Sequence, residues 1–166
     1  MRVYIRATQG SIYTDNDFDN NYQRAEGSSL DIGVYHVFSF ASHPQDQFKN
    51  FKDQIATRVG SLPIAVQVSS KRPLTKSRIA SLKVFVNDVK RHYHQPVIIW
   101  TSRPIANQLK LGHVWINNSP SPQEWLMVLN PKETLNLNGQ DNNVTQFVFN
   151  GNHRNWREFS DLNHIN

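Results

Sequence analysis

Pro63-Ile64-Ala65-Val66-Gln67-Val68 and Pro96-Val97-Ile98-Ile99-Trp100-Thr101 are short apolar runs, and Thr75 to Tyr93 lies between them. The second run is nearly continuous in Val and Ile, as expected of a strand buried on both faces of a parallel sheet. In the stretch between, Ile79, Leu82, Val86 and Val89 recur three or four residues apart, and Lys76, Arg78, Lys83, Lys90 and Arg91 fill other positions. That spacing predicts an amphipathic helix with one face to a core. Strand, helix and strand in this order predict an α/β unit with parallel strands.

The same alternation extends in both directions. Val3 to Ala7 is a first strand-like run, and Asp15 to Ala25 reads as a helix that opens on acidic residues, which suit a helix N-terminus. Ile32 to Phe40 is a second run. Pro44 to Val59 follows as a helix with Phe48, Phe51, Ile55 and Val59 on one face and Gly60 as its stop. Beyond the central unit come a short helix at Ile105 to Leu111, runs at Val114–Asn117, Trp125–Leu129 and Val144–Phe149, and a closing helix at His153–Leu162. Seven strand-like runs in 166 residues predict one α/β domain spanning 1–166, built as a doubly wound sheet or a (β/α) barrel. The connections at 118–124 and 130–143 are too short or too Asn-rich for full helices, which fits a barrel with reduced outer helices.

Composition excludes several classes of function. Hydrophobic residues are 38% and aromatic residues 11%, a supply that disordered chains lack. The absence of cysteine removes disulfides, thiol catalysis and Cys-ligated zinc. No apolar run approaches the roughly 20 residues of a membrane helix. The N-terminal residues read as a strand rather than a signal peptide, so residues alone leave the compartment unknown. The net charge of +5 is modest and comes with no recognised nucleic-acid-binding module. No cofactor is expected, because no Gly-rich phosphate loop appears. No metal is expected either. Asp15, Asp17 and Asp19 lack the Gly of a calcium loop, whose place is taken by Asn20, and His92 and His94 do not share a helix face. Lys71, Arg72, Lys76 and Arg78 form a basic cluster after the third strand-like run; its ordinary reading is a solvated loop and helix start.

Several motifs resemble one family. Tyr4-Ile5-Arg6-Ala7-Thr8-Gln9-Gly10, followed by Tyr13-Thr14-Asp15 and Phe18, resembles the second strand and following loop of the glycoside hydrolase family 25 lysozymes. Gly33-Val34-Tyr35-His36-Val37-Phe38 is similar to their third strand, Leu62 to Val66 to the lead-in of the fourth, Pro96 to Thr101 to the fifth and Val114-Trp115-Ile116 to the sixth. Phe149-Asn150-Gly151 and the closing helix resemble the family's C-terminal end. The resemblance implies a (β/α) TIM-like barrel here lacking the family's first strand, with a site at the C-terminal ends of the strands. It also implies chemistry on peptidoglycan, in which one carboxyl group protonates the departing sugar oxygen and another stabilises or attacks the oxocarbenium-like centre.

The departures from the family fall on those carboxyl positions. The first-strand Asp has no counterpart in this sequence. Where the fourth strand would end in Asp-x-Glu, the chain has Gln67-Val68-Ser69. Counting back without gaps from Phe149, the later Asp position is Thr145, and the family's Trp-Gln appears as Leu129-Asn130. An amide or a hydroxyl cannot titrate as a carboxylic acid. The expectation is a lysozyme-like protein without catalytic residues, binding peptidoglycan or another glycan through Tyr35, Gln67, Ser69, Trp100, Trp115, Asn117 and Asn130. Two alternatives stand beside it. One is an active muramidase with relocated carboxylates, for which Asp31, Glu124 and Asp141 are the residues to inspect. The other is an assembly module, such as a homodimer formed through exposed strand edges. A secreted or wall-associated location follows from the resemblance alone.

Overall fold

The computed structural model describes residues 2–111, 114–116, 125–128, 134–137, 140–143, 146–149 and 151–160. The central unit forms as its pattern predicts. β4 (Ile64–Gln67), α3 (Lys76–Tyr93) and β5 (Val97–Thr101) follow one another, and the two strands pair in parallel with Ile64 opposite Val97 and Gln67 opposite Trp100. Thr75 caps α3, its Oγ1 accepting the Arg78 backbone N–H at 3.2 Å. His94 ends the helix in the left-handed conformation, at φ 53°.

Outward from this unit lie β1 (Arg2–Gln9), β2 (Tyr13–Thr14), α1 (Phe18–Glu26), β3 (Asp31–Val37) and α2 (Pro44–Ile55). After it come α4 (Arg103–Leu109), β6 (Val114–Ile116), β7 (Trp125–Val128), β8 (Thr134–Leu137), β9 (Gln140–Asn143), β10 (Gln146–Phe149) and α5 (His153–Ser160). Eight strands form one sheet in the order β10-β7-β6-β5-β4-β3-β1-β2, and β8 pairs with β9 in a separate hairpin.

The sheet is α/β and mixed, but it is open, which corrects the expected barrel. Among the described residues β10 and β2 are its two edges and no pairing joins them. β10 runs antiparallel to β7, and β2 folds back antiparallel onto the end of β1 through the Thr8–Thr14 and Gln9–Tyr13 pairs. The run of parallel strands is thus ended by an antiparallel strand on each side. α5 bridges the two sides instead. The Arg2 guanidinium lies over the Trp156 ring at 4.2 Å, and Phe149 meets the same ring at 5.1 Å. Nothing in this arrangement supports the expected dimer through strand edges.

Two further expectations are corrected. α2 stops at Ile55 rather than Val59, with Ala56 at φ 51° after it. Gly60, at φ +70°, serves a close approach instead, since a Cβ there would lie 2.1 Å from the Ile32 carbonyl oxygen. The region 130–143, read as irregular, holds the β8–β9 hairpin. Its sequence signal is the Asn138-Gly139 pair between the strands, the residues that favour a two-residue turn.

Alternation along the strands divides the side chains between two faces. Ile5, Ala7, Ile32, Val34, Ile64, Val66, Val68 and Ile99 pack against Phe18 and Tyr22 of α1, Phe51 and Ile55 of α2, and Leu82, Phe85 and Val89 of α3. The opposite face carries Tyr4, Tyr35, Ala65, Ile98, Trp100 and Trp115, with Leu62 and with Trp156 and Phe159 of α5. α5 contacts Arg2 and packs with Leu62, beside the N-terminal ends of β1 and β4, so it covers that end of the face.

A polar pin ties the helix-packed face to α2. His36 is fully buried, stacked on Phe85 at 4.6 Å. Its Nε2 lies 3.0 Å from Gln47 Oε1 and its Nδ1 2.7 Å from Thr8 Oγ1. An amide oxygen only accepts, so Nε2 carries the proton and Nδ1 accepts from the Thr8 hydroxyl. The Gln47 amide nitrogen donates to the carbonyls of Ser39 and Ser42, which fixes the loop leading from β3 to α2. Burial depresses the His36 pKa from 6.5 to about 4, partly offset by the Gln47 hydrogen bond.

Two predictions follow from this packing. Between pH 6.5 and about 4 the unfolded chain protonates His36 and the folded one does not, so stability is full above pH 6.5 and falls as the pH drops through this window. Denaturant melts should show this loss, at up to about 1.4 kcal/mol per pH unit, and His36→Phe should flatten it while lowering stability at neutral pH. Gly33→Ala should destabilise the fold by about 1–3 kcal/mol in the same assay, since its Cβ would sit 2.4 Å from Cε1 of Tyr4.

Candidate functional site

The C-terminal ends of the parallel strands leave part of the second face free of α5. Register places its side chains in two rows. Arg6, Tyr35, Ala65 and Ile98 are consecutive partners across β1, β3, β4 and β5. One step nearer the strand ends, Val37, Gln67, Trp100 and Trp115 are partners across β3 to β6.

Aromatic rings dominate the floor. Trp100 stacks flat on Trp115, centroids 4.4 Å apart and planes 10° apart. Tyr35 meets Trp100 edge-on at 5.5 Å, and Tyr4 leans on Trp115 at 5.0 Å. Trp115 is only 1% exposed, so it backs Trp100 rather than offering a face of its own. Tyr35, Gln67 and Trp100 are half-buried, a placement that suits a wall able to take a ligand. The Tyr4 hydroxyl donates to the Pro63 carbonyl at 2.8 Å, which anchors the inner end of this aromatic chain.

Beside the rings is a charged group that the sequence reading assigned elsewhere. Arg6 Nε donates to Asp15 Oδ2 at 2.8 Å, and Arg6 Nη2 donates to the Tyr13 hydroxyl at 3.0 Å. Asp15 Oδ1 accepts the Asp17 backbone N–H at 3.1 Å. Asp15 was expected at a helix start, but α1 begins at Phe18 and the Asp15 side chain, 18% exposed, turns to Arg6. The signal was present in the alternation of β1, which puts Arg6 on the same face as Tyr4. The hydrogen bond that Arg6 donates to Asp15 raises the Arg6 pKa above its ordinary value. Burial raises that of Tyr35, with Asp15 adding to the effect and Arg6 opposing it.

The other candidates are scattered. Ser69 is exposed just past β4. Asp31 opens β3 at the far end of the sheet, 3.7 Å from Arg2, and so is remote from the groove. Asp141 belongs to β9, outside the main sheet. Asn117, Glu124, Asn130 and Thr145 lie outside the described residues. Among the described residues no cluster of His, Asp and Glu could hold a metal ion, and no helix is long and apolar enough to cross a membrane.

The open α/β sheet carries a cluster of aromatic rings at its strand ends, and comparison with known proteins gives the family. Residues 1–147 match the glycosyl hydrolases family 25, and the chain belongs to that family. The fold is similar to that of a family 25 glycosyl hydrolase from Bacillus anthracis, at TM-score 0.74 and 23% identity, covering 95% of this chain and 81% of that one. It is also similar to the bacterial lysozyme from Streptomyces coelicolor, at TM-score 0.71 and 18% identity, over 98% and 87% of the two chains. An autolytic lysozyme of Clostridium acetobutylicum is 37% identical over 54 residues, 32% of this chain. That stretch spans only 16% of the length of the clostridial protein.

Proposed function

We propose that this chain is a non-catalytic family 25 protein that binds peptidoglycan or a related glycan in the groove along Tyr35, Gln67 and Trp100. The observation that carries the reading is the chemistry of the floor. At its centre, paired with Trp100, stands the neutral amide of Gln67. A glycosidase needs two carboxyl groups, about 5–5.5 Å apart for retention or about 6.5–9.5 Å for inversion. In the described part of the groove only Asp15 offers one. Both of its oxygens already accept hydrogen bonds, from Arg6 and from the Asp17 backbone, so it is poorly placed to hand a proton to a leaving sugar.

The half-buried Trp100, held flat by Trp115 and edged by Tyr35, supports the binding half of the reading. Such rings present a rigid apolar face at low entropic cost, and Gln67 beside them can both donate to and accept from sugar hydroxyls. The family's association with lysozymes supplies the class of glycan.

Purified protein incubated with peptidoglycan should release no reducing ends above buffer, while an N-acetylglucosamine tetramer should bind measurably by calorimetry. Trp100→Ala should weaken that binding by about tenfold or more, the value of one aromatic contact. Release at a lysozyme-like rate would overturn the non-catalytic reading. Tetramer affinity indifferent to Trp100 would overturn the groove.

A further inference from the structure

Charge is distributed very unevenly along this chain. From Gln54 to Gln123 there are ten Lys and Arg residues and a single acid, Asp88. The rest of the chain holds eight basic and twelve acidic residues. The basic part includes β4, α3 and β5, and four of its cations lie where β4 leads into α3, at the strand end of the sheet where the groove lies. They are Lys71 and Arg72 in the loop, and Lys76 and Arg78 in the first turn of α3, and all four are exposed.

These four differ from six cations elsewhere that are paired with acids. Arg2, Arg6, Lys49, Arg58, Arg91 and Arg154 are each within ion-pair distance of a carboxylate. Among the described residues Lys71, Arg72, Lys76 and Arg78 have no acidic partner. Arg78 instead lies over the Phe40 ring at 5.2 Å, and Phe40 belongs to the loop that leaves β3 at the same end of the sheet. An exposed, uncompensated cluster attracts anions over roughly 8–10 Å at physiological salt.

We propose that this rim and the groove together bind an anionic glycan polymer whose charges are phosphodiesters, a reading that rests on the glycan-binding groove above. The floor and the rim divide the work. Trp100, Tyr35 and Gln67 suit an uncharged sugar ring. Arg6, the one cation of the floor among the described residues, is already engaged with Asp15 and Tyr13, so this floor is poorly supplied for a carboxylate carried on the ring itself. The uncommitted positive charge stands outside the floor, on long side chains spaced along a loop and a helix turn. That placement matches charges linking or hanging from successive units of a polymer, each met by a Lys or Arg.

The experiment compares three probes on the full chain: a poly(glycerol phosphate) wall polymer bearing N-acetylglucosamine, a neutral N-acetylglucosamine tetramer, and a single-stranded RNA of matched charge. The polymer should bind more tightly than the tetramer, and its affinity should fall about tenfold or more between roughly 50 and 500 mM salt. The double variant Lys71→Glu/Arg72→Glu should lose about tenfold or more in polymer affinity with tetramer binding unchanged. Trp100→Ala should weaken both. These outcomes together support the proposal. It is overturned if the rim variant binds the polymer as the parent does, if RNA binds as tightly as the polymer, or if polymer binding ignores Trp100. Tetramer binding without any preference for the polymer sinks this inference and leaves the groove standing. No binding of the tetramer sinks the glycan reading on which it rests.

Discussion

Along β4, Ile64 and Val66 turn to the helices while Ala65 and Gln67 turn the other way, and each neighbouring strand has to fall into the same step. The helix-packed face can exclude water only if the partners of Val66 are His36 on one side and Ile99 on the other, as they are. A slip of one residue in any pair would bring Tyr35 or Trp100 into the helix layer and send His36 into the groove. The groove therefore inherits its composition from a packing requirement on the reverse of the sheet. His36 shows how firmly that requirement is enforced. A full set of hydrogen bonds to Thr8 and Gln47 lets an imidazole occupy a position otherwise reserved for Val and Phe.

How much of this could be read in the sequence depended on periodicity. β5 runs from Val97 to Thr101 as read, and α3 begins just after Thr75, because long repeats of one period leave little ambiguity. Short elements escaped. β2 is two residues long, and no pattern can be seen in Tyr13-Thr14 alone. Missing it displaced Asp15 from the groove to a helix start. How the sheet ends was illegible for a different reason. Whether a sheet of parallel strands becomes a ring depends on the direction of its last strands, and β10 turned antiparallel in a stretch whose alternation looks the same either way.

The groove itself was half legible. Tyr35, Gln67 and Trp100 stand as neighbours near the strand ends because positions there are fixed once register is fixed. Trp115 sits at the same level but is buried, backing Trp100. The polar partner of the groove, Arg6, was hidden inside a run that reads as ordinary strand. Residues such as Gln47 and Thr8 gave no signal, since their part in the fold is visible only as hydrogen bonds spanning several elements.

α5 lies against a strand from the other end of the chain: Trp156 rests beneath Arg2 and beside Phe149. During synthesis the helix-packed layer can assemble once Leu111 has left the ribosome, because its contributors all lie at or before that residue. The second layer cannot. Tyr4, Ile98 and Trp115 stay without their cover until Trp156 and Phe159 emerge, so between Leu111 and α5 a nascent chain holds one finished face and one wet apolar face. α5 is the helix that ends that exposure, and a ribosome stalled shortly before it would display an aromatic surface to whatever chaperone stands at the exit.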